Sequence, residues 1–273
     1  MIFNLKSLKK MNLEFSAVCL NTFFSKEDIE KLIALILSKE IDKNNQYSGG
    51  RTDFSYGSKE FKFFLENNKS LKNITDELKS KTFWNELSKG LLNQDSEIKS
   101  FFPIKKPFFF PFEKSGFLQK ILDKLRRSNL SIVEKLFLKL IRGDHFELTI
   151  NLGIAYSGYY VPPHLDNRNK LIVGLIYLSG SETQDLLLCK SLDEKNIGNR
   201  LLNANQFSVI KRFRQNSNKA IFLENTNNSY HGTEDFSSKN PKVFIYTSIA
   251  LPGTEKIFKS NKSYLRDHWP NVT

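Results

Sequence analysis

Cysteine is almost missing from this chain. Cys19 and Cys189 stand apart in apolar surroundings, with neither a CxxC pair nor a disulfide framework. Such usage suits a compartment that keeps thiols reduced, so a cytoplasmic protein is expected. Long apolar runs are missing as well. The longest clean one, Leu171 to Leu178, is far short of the ~20 residues that span a bilayer. Lysines precede the apolar stretch Phe15 to Leu20, but its shortness and the adjacent Glu14 argue against a signal peptide. Residues 1–10 carry little recognisable pattern, which makes Met11 an alternative start. No internal repeat and no linker stand out, and no arginine-rich block is present.

The chain does carry a large positive excess. Lysine and arginine number 41 against 29 acidic residues, a net charge of +12 over 273 residues. An excess of that size can serve nucleic acid, a membrane surface or an acidic glycan. The lysines are spread along the whole sequence, many beside asparagine, so nucleic acid is not the expected partner. With 40% hydrophobic and 13% aromatic residues, the chain can bury one large core and is not a disordered polymer.

Two halves differ in pattern. In the first, Ile29, Leu32, Ile33, Ile36 and Leu37 form one helical stripe, led by Ser25 and Asp28 as a capping pair. Residues 44–58 are polar and glycine-bearing and are expected to be a loop. Glu60 to Leu92 reads as short helices that bury Phe61, Phe64, Leu65, Leu78, Phe83, Trp84, Leu87 and Leu91, with Gly90 as a break. The proline- and phenylalanine-rich stretch Phe101 to Phe112 is expected to be extended, its rings in the core rather than on a binding surface. Two more helical patterns follow, Phe117 to Leu125 and Ser131 to Ile141, the second stopping near Gly143.

After Gly143 the period changes to two. Phe146, Leu148, Ile150, Leu152 and Ile154 alternate with small or polar residues. Leu171–Tyr177, Asp185–Cys189, Phe207–Lys211, Lys219–Leu223 and Val243–Leu251 read as further strands, with turns between them. Many short strands without intervening helices predict a sandwich or jelly roll. The expected class is therefore α+β: a double-stranded β-helix (jelly-roll) core over 144–255, with a mostly helical annex over 1–143 packed round it. A tail over 256–273 completes one domain.

Histidine is scarce, with four in the chain, and two of them carry the chemistry. His164 and Asp166, two residues apart, point the same way in an extended segment stiffened by Pro162 and Pro163. His231 follows 65 residues after the aspartate, as expected when two distant strands of a jelly roll meet at one mouth. Two imidazoles and one carboxylate are the facial triad of non-haem Fe(II) oxygenases. His145 opens a strand and His268 lies in the polar tail, so neither is favoured as a ligand.

Through His164-x-Asp166, the distant His231 and a basic residue heading the last strand, the chain resembles the Fe(II)/2-oxoglutarate-dependent oxygenase superfamily, in particular its prolyl-hydroxylase-like branch. The resemblance covers roughly residues 146–251. It implies Fe(II) held by His164, Asp166 and His231, with 2-oxoglutarate and dioxygen as co-substrates of a hydroxylation. It also implies Lys242 as the cation for the distal carboxylate of 2-oxoglutarate, with Lys239 the neighbouring alternative. The superfamily's common Arg-x-Ser pattern is not kept, since Phe244 stands where the serine would be. Tyr156-x-Gly158-x-Tyr160 resembles the tyrosine-bearing lead-in of that branch in compressed form. Tyr156, Tyr160 and Tyr177 are thus candidates for the co-substrate pocket, and each could equally be a core aromatic. Asp166 disfavours a halogenase, a subclass in which glycine or alanine replaces the carboxylate. A catalytically inactive, cupin-like binding protein of the same fold is the alternative. The substrate is left open among small molecules, peptides and glycans.

Overall fold

The computed structural model describes residues 2–11, 13–38, 46–47, 50–110, 136, 144–179, 184–252 and 256–258. The period-two stretch after Gly143 becomes strand β6 (Phe146–Ala155), whose two faces have different fates. Leu148, Ile150, Leu152 and Ile154 join an apolar cluster under the helices, while Ala155 belongs to a second cluster between two sheets. The same split runs along the last strand, β13 (Lys242–Ala250): Val243, Ile245 and Ile249 face the helices, and Phe244 faces the other sheet.

Between them lie β7 (Val161–His164), β8 (Lys170–Tyr177), β9 (Asp185–Ser191), β10 (Phe207–Arg214), β11 (Lys219–Glu224) and β12 (Tyr230–Thr233). Strands β11, β8, β13 and β6 run side by side in one sheet, and β10, β9, β12 and β7 form the second. All of these ladders are antiparallel. The chain repeatedly crosses from one sheet to the other, and the result is jelly-roll-like.

The first half carries more strand than the mostly helical annex expected of it. Strands β1 (Phe3–Met11) and β2 (Ala17–Thr22) extend the larger sheet beyond β11. On its opposite side β4 (Arg51–Ser55) pairs with β6, and β3 (Gln46–Tyr47) lies beyond β4. The register of β1 shifts between Asn4 and Lys9, which hides its alternation from a sequence reading. Strand β4 lies in the stretch expected to be a loop. Its row Arg51, Asp53 and Ser55 is polar, and only Thr52 and Phe54 are buried. A strand whose polar side turns toward a site reads as a loop.

Helices α1 (Lys26–Ser38), α2 (Lys59–Asn67), α3 (Lys69–Leu78) and α4 (Lys81–Leu91) cover the outer face of the larger sheet. Ser25, Ser58 and Asn68 cap three of them, their side chains accepting from the N–H groups of Asp28, Phe61 and Leu71. Gly90 does not break α4. A Cβ there would fall 2.8 Å from Leu8, so the glycine lets β1 approach the helix. Phe3 and Phe83 meet across that contact with ring centroids 4.5 Å apart. Phe101, Phe102, Phe108 and Phe110 pack against the helix-side core, and β5 (Phe108–Phe109) adds to β6 in parallel. The helical patterns at 117–125 and 131–141 and the tail histidine His268 lie outside the described residues, apart from helical Leu136. Among the described residues no helix is long and apolar enough to cross a membrane.

Candidate metal and carboxylate site

Strand β7 is the edge of the smaller sheet, where prolines can sit without disrupting a ladder on both sides. Its last residue, His164, pairs directly with His231 of β12. The two strands come unusually close because Gly232 follows His231. A Cβ on Gly232 would lie 2.6 Å from the carbonyl oxygen of Val161 and 2.9 Å from the nitrogen of Pro163. The two imidazole rings consequently stand 4.5 Å apart, tilted by 49°. Asp166 follows His164 by two residues, and potential ligand atoms of all three side chains lie within 4.8 Å of one another.

Both rings are oriented in the same way. Nδ1 of His164 lies 3.1 Å from the carbonyl oxygen of Pro162, and Nδ1 of His231 lies 3.1 Å from that of Ser229. A carbonyl can only accept, so each Nδ1 carries a proton and Nε2 is the ring nitrogen that can offer a lone pair to a metal. Nε2 of His231 sits 3.3 Å from Oδ2 of Asp166. A nitrogen and a carboxylate oxygen at that distance can share a cation, either a proton or a metal ion. Burial, and then the neighbouring His231, pushes the His164 imidazole down to about 3, so this ring is neutral and able to ligate across the physiological range.

The other carboxylate oxygen is held by different groups. Lys170, at the start of β8, contacts Oδ1 of Asp166 and the hydroxyl of Tyr246 on β13. Tyr246 also donates to the same Oδ1 at 3.2 Å. Burial alone would push the Asp166 carboxyl up, but Lys170 and the two histidines outweigh it and hold the group well below the usual range. Asp166 is only 8% exposed and is nevertheless an anion. One oxygen is thus fixed by Lys170 and Tyr246, and the other faces His231.

Lys242 heads β13, and its side chain is buried. Its ammonium donates to the amide oxygens of Gln184 and, at 2.6 Å, Gln215. The rings of Tyr159, Phe236 and Phe244 surround it at 5.2–5.4 Å. Burial, and then Arg51, pushes the Lys242 ammonium down to about 7. Phe244, in place of a serine, leans over Gly153 of β6, where a Cβ would lie 2.7 Å from the ring. Tyr177 pairs with Phe244 across the β8–β13 ladder and is 2% exposed. Its hydroxyl is buried and meets no hydrogen-bond partner among the described residues.

The remaining two tyrosine candidates lie elsewhere. Tyr156 packs against the helix-side core and Tyr160 is 40% exposed. Tyr159, between them in sequence, is the residue that enters the space between the sheets, stacked on Phe244 with centroids 6.4 Å apart. Sequence reasoning did not single out Tyr159, Lys170, Tyr246 or Arg51. Two of them had a usable signal. Lys170 follows Asp166 by four residues, and Tyr246 shares the inward parity of Lys242 and Phe244 on one strand.

No family model matches the chain, and no curated protein matches it. Among solved structures, it is similar to a prolyl hydroxylase in complex with a hypoxia-inducible-factor oxygen degradation domain peptide fragment from Trichoplax adhaerens. There the TM-score is 0.43 at 10% identity, over 87% of this chain and 84% of that one. HygX from Streptomyces hygroscopicus, with nickel, 2-oxoglutarate and hygromycin B bound, gives 0.41 at 9% identity, over 92% and 90% of the two chains. The ribosomal oxygenase YcfD from Escherichia coli gives 0.26 at 14% identity over 38% of this chain. The matched part spans 23% of YcfD. Fold and site together define a jelly-roll-like protein with a two-histidine, one-carboxylate centre.

Proposed function

We propose that this protein is a non-haem Fe(II)- and 2-oxoglutarate-dependent dioxygenase that hydroxylates a small molecule, peptide or glycan, acting as one oxygenase-like domain over residues 1–273 in a reducing compartment such as the cytoplasm. The observation that carries the proposal is the meeting of Nε2 of His231 with Oδ2 of Asp166 at 3.3 Å, beside a neutral His164 whose Nδ1 is already engaged. Nitrogen and oxygen donors in this two-to-one set suit ferrous iron with open positions. When bound, Fe(II) with 2-oxoglutarate and dioxygen supplies the oxidising power for C–H hydroxylation.

The chain's own residues have separable tasks. His164, Asp166 and His231 hold the metal, and Lys170 and Tyr246 keep Asp166 presenting a single oxygen. Lys242 and the hydroxyl of Tyr177, which has no partner among the described residues, bind the distal carboxylate of 2-oxoglutarate, both lying on the inward side of the larger sheet. Buried hydroxyls are rarely left without partners, so the Tyr177 oxygen supports a polar ligand at this place. The experiment is Fe(II)-dependent formation of succinate from 2-oxoglutarate by the wild type and by His164→Ala. Turnover in the first and none in the second is expected. A wild type that binds metal but never consumes 2-oxoglutarate would instead support an inactive, cupin-like binding protein.

A further inference from the structure

Arg51 belongs to β4, a strand outside the eight that make the roll, yet it shares one cross-strand row with Lys242. It pairs with Ala155 of β6, and Ala155 pairs on its other side with Lys242. The residue between the two cations therefore contributes only a methyl group. Both cations meet the same aromatic ring: the Arg51 guanidinium lies 4.8 Å from the centre of Phe244, and the Lys242 ammonium 5.4 Å from it. Tyr159 ties them together, accepting from Arg51 at 3.2 Å and presenting its ring to Lys242 at 5.2 Å.

The charges at this place do not balance. Asp53 pairs with Arg51 through Nε at 2.7 Å. Lys242, by contrast, is 1% exposed and among the described residues contacts the neutral amides Gln184 and Gln215 and the aromatic rings. Among the described residues two basic groups and one carboxylate meet here, so the charged form of Lys242 is costly unless an anion joins them. The guanidinium fork has five donors, of which Asp53 and Tyr159 engage Nε and one terminal nitrogen. Gly153 completes the shape. It allows Phe244 to lie on β6, and its missing Cβ would stand 3.0 Å from Asp53. The ring that replaces a hydroxyl donor on β13 thus becomes a platform for a guanidinium brought in from β4.

We infer that Arg51 is a second co-substrate-binding cation, seating the distal carboxylate of 2-oxoglutarate jointly with Lys242. The inference rests on the proposed 2-oxoglutarate dependence. A planar fork beside a point charge recognises a carboxylate's two oxygens better than either cation alone. The site therefore selects a 2-oxo acid that carries a second carboxylate.

The test is calorimetric titration of the Mn(II)-loaded protein with 2-oxoglutarate and with 2-oxopentanoate, which has the same chain length but no distal carboxylate. Arg51→Gln is expected to weaken 2-oxoglutarate binding by roughly ten- to a hundredfold, the scale of a lost charge-assisted hydrogen bond. Binding of 2-oxopentanoate should be unchanged, and Arg51→Lys should fall between wild type and Arg51→Gln. Equal weakening of both ligands would show that Arg51 only supports the fold and would overturn the inference, as would an Arg51→Gln protein that binds both like wild type. Should Arg51→Gln not fold, the comparison of the two ligands in Arg51→Lys decides in the same way. A wild type that binds Mn(II) but not 2-oxoglutarate would overturn the co-substrate reading itself, a result distinct from any failure confined to the variants.

Discussion

His164 and His231 face each other as direct partners across the β7–β12 ladder, each with Nδ1 bound to the carbonyl of the residue two places before it. One local rule, applied twice, orients both rings, and the two imidazoles and Asp166 gather in one cluster with Nε2 of His231 on the carboxylate. The geometry depends on backbone proximity more than on the side chains themselves.

Gly232→Ala should damage the site without touching a ligand. The added Cβ meets backbone atoms of β7 at 2.6–3.0 Å, and strands move less readily than side chains. A loss of about 1–3 kcal/mol in unfolding free energy is expected, as for overpacked cores. Chemical denaturation checks it, and metal affinity should fall in the same variant because the β7–β12 spacing sets the distance between the rings.

Tyr246→Phe removes one of the two donors on Oδ1 of Asp166 while leaving the ring in place. Metal affinity should drop about tenfold, the usual scale for groups that orient a ligand. Competitive titration of Co(II) measures this, and the fold should survive, since the hydroxyl supports no strand.

With Lys242 seating the co-substrate as proposed, binding should depend on pH. Its ammonium is pushed down to about 7 from 10.5 by burial and by Arg51. The folded chain therefore releases this proton near neutrality, whereas the unfolded chain keeps it until about pH 10. Stability contributed by this group is accordingly lowest below pH 7 and rises between pH 7 and 10. A carboxylate beside Lys242 favours the charged form, so binding above pH 7 takes up a proton. Affinity for 2-oxoglutarate should weaken as pH rises from 6.5 to 8.5, and the trend should flatten in Lys242→Arg. Titration calorimetry in buffers of different ionisation enthalpy reads the proton directly.

Tyr177→Phe should weaken 2-oxoglutarate binding severalfold and leave the protein as stable as wild type or more so. The hydroxyl is buried without a partner among the described residues, so its removal costs the folded chain no hydrogen bond. Thermal unfolding and ligand titration of the one variant separate the two effects.

Much of this was legible in the sequence for a clear reason. The strands β6, β8 and β13 bury one or both faces, and burial writes itself as alternation or as an apolar run. His164 and Asp166 were readable because two residues in an extended chain share a side, while His231 followed from the scarcity of histidine. What was hidden follows a second pattern. Strand β4 carries Arg51 and Asp53 toward the space between the sheets, so its polar residues read as a loop. Strand β1 loses its alternation at a register shift. Tyr159 is hidden because the resemblance points to Tyr156 and Tyr160 on either side of it, while the turn at Gly158, with φ of 88°, is what sends Tyr159 between the sheets.

The proposed function requires one metal centre that chelates 2-oxoglutarate. The most direct measurement is anaerobic titration of the protein with Fe(II) and 2-oxoglutarate, following the visible metal-to-ligand charge-transfer absorption. The wild type should develop the band at one equivalent of each, and His231→Ala should develop none. A wild type without the band, or a His231→Ala variant that shows it undiminished, would contradict the account.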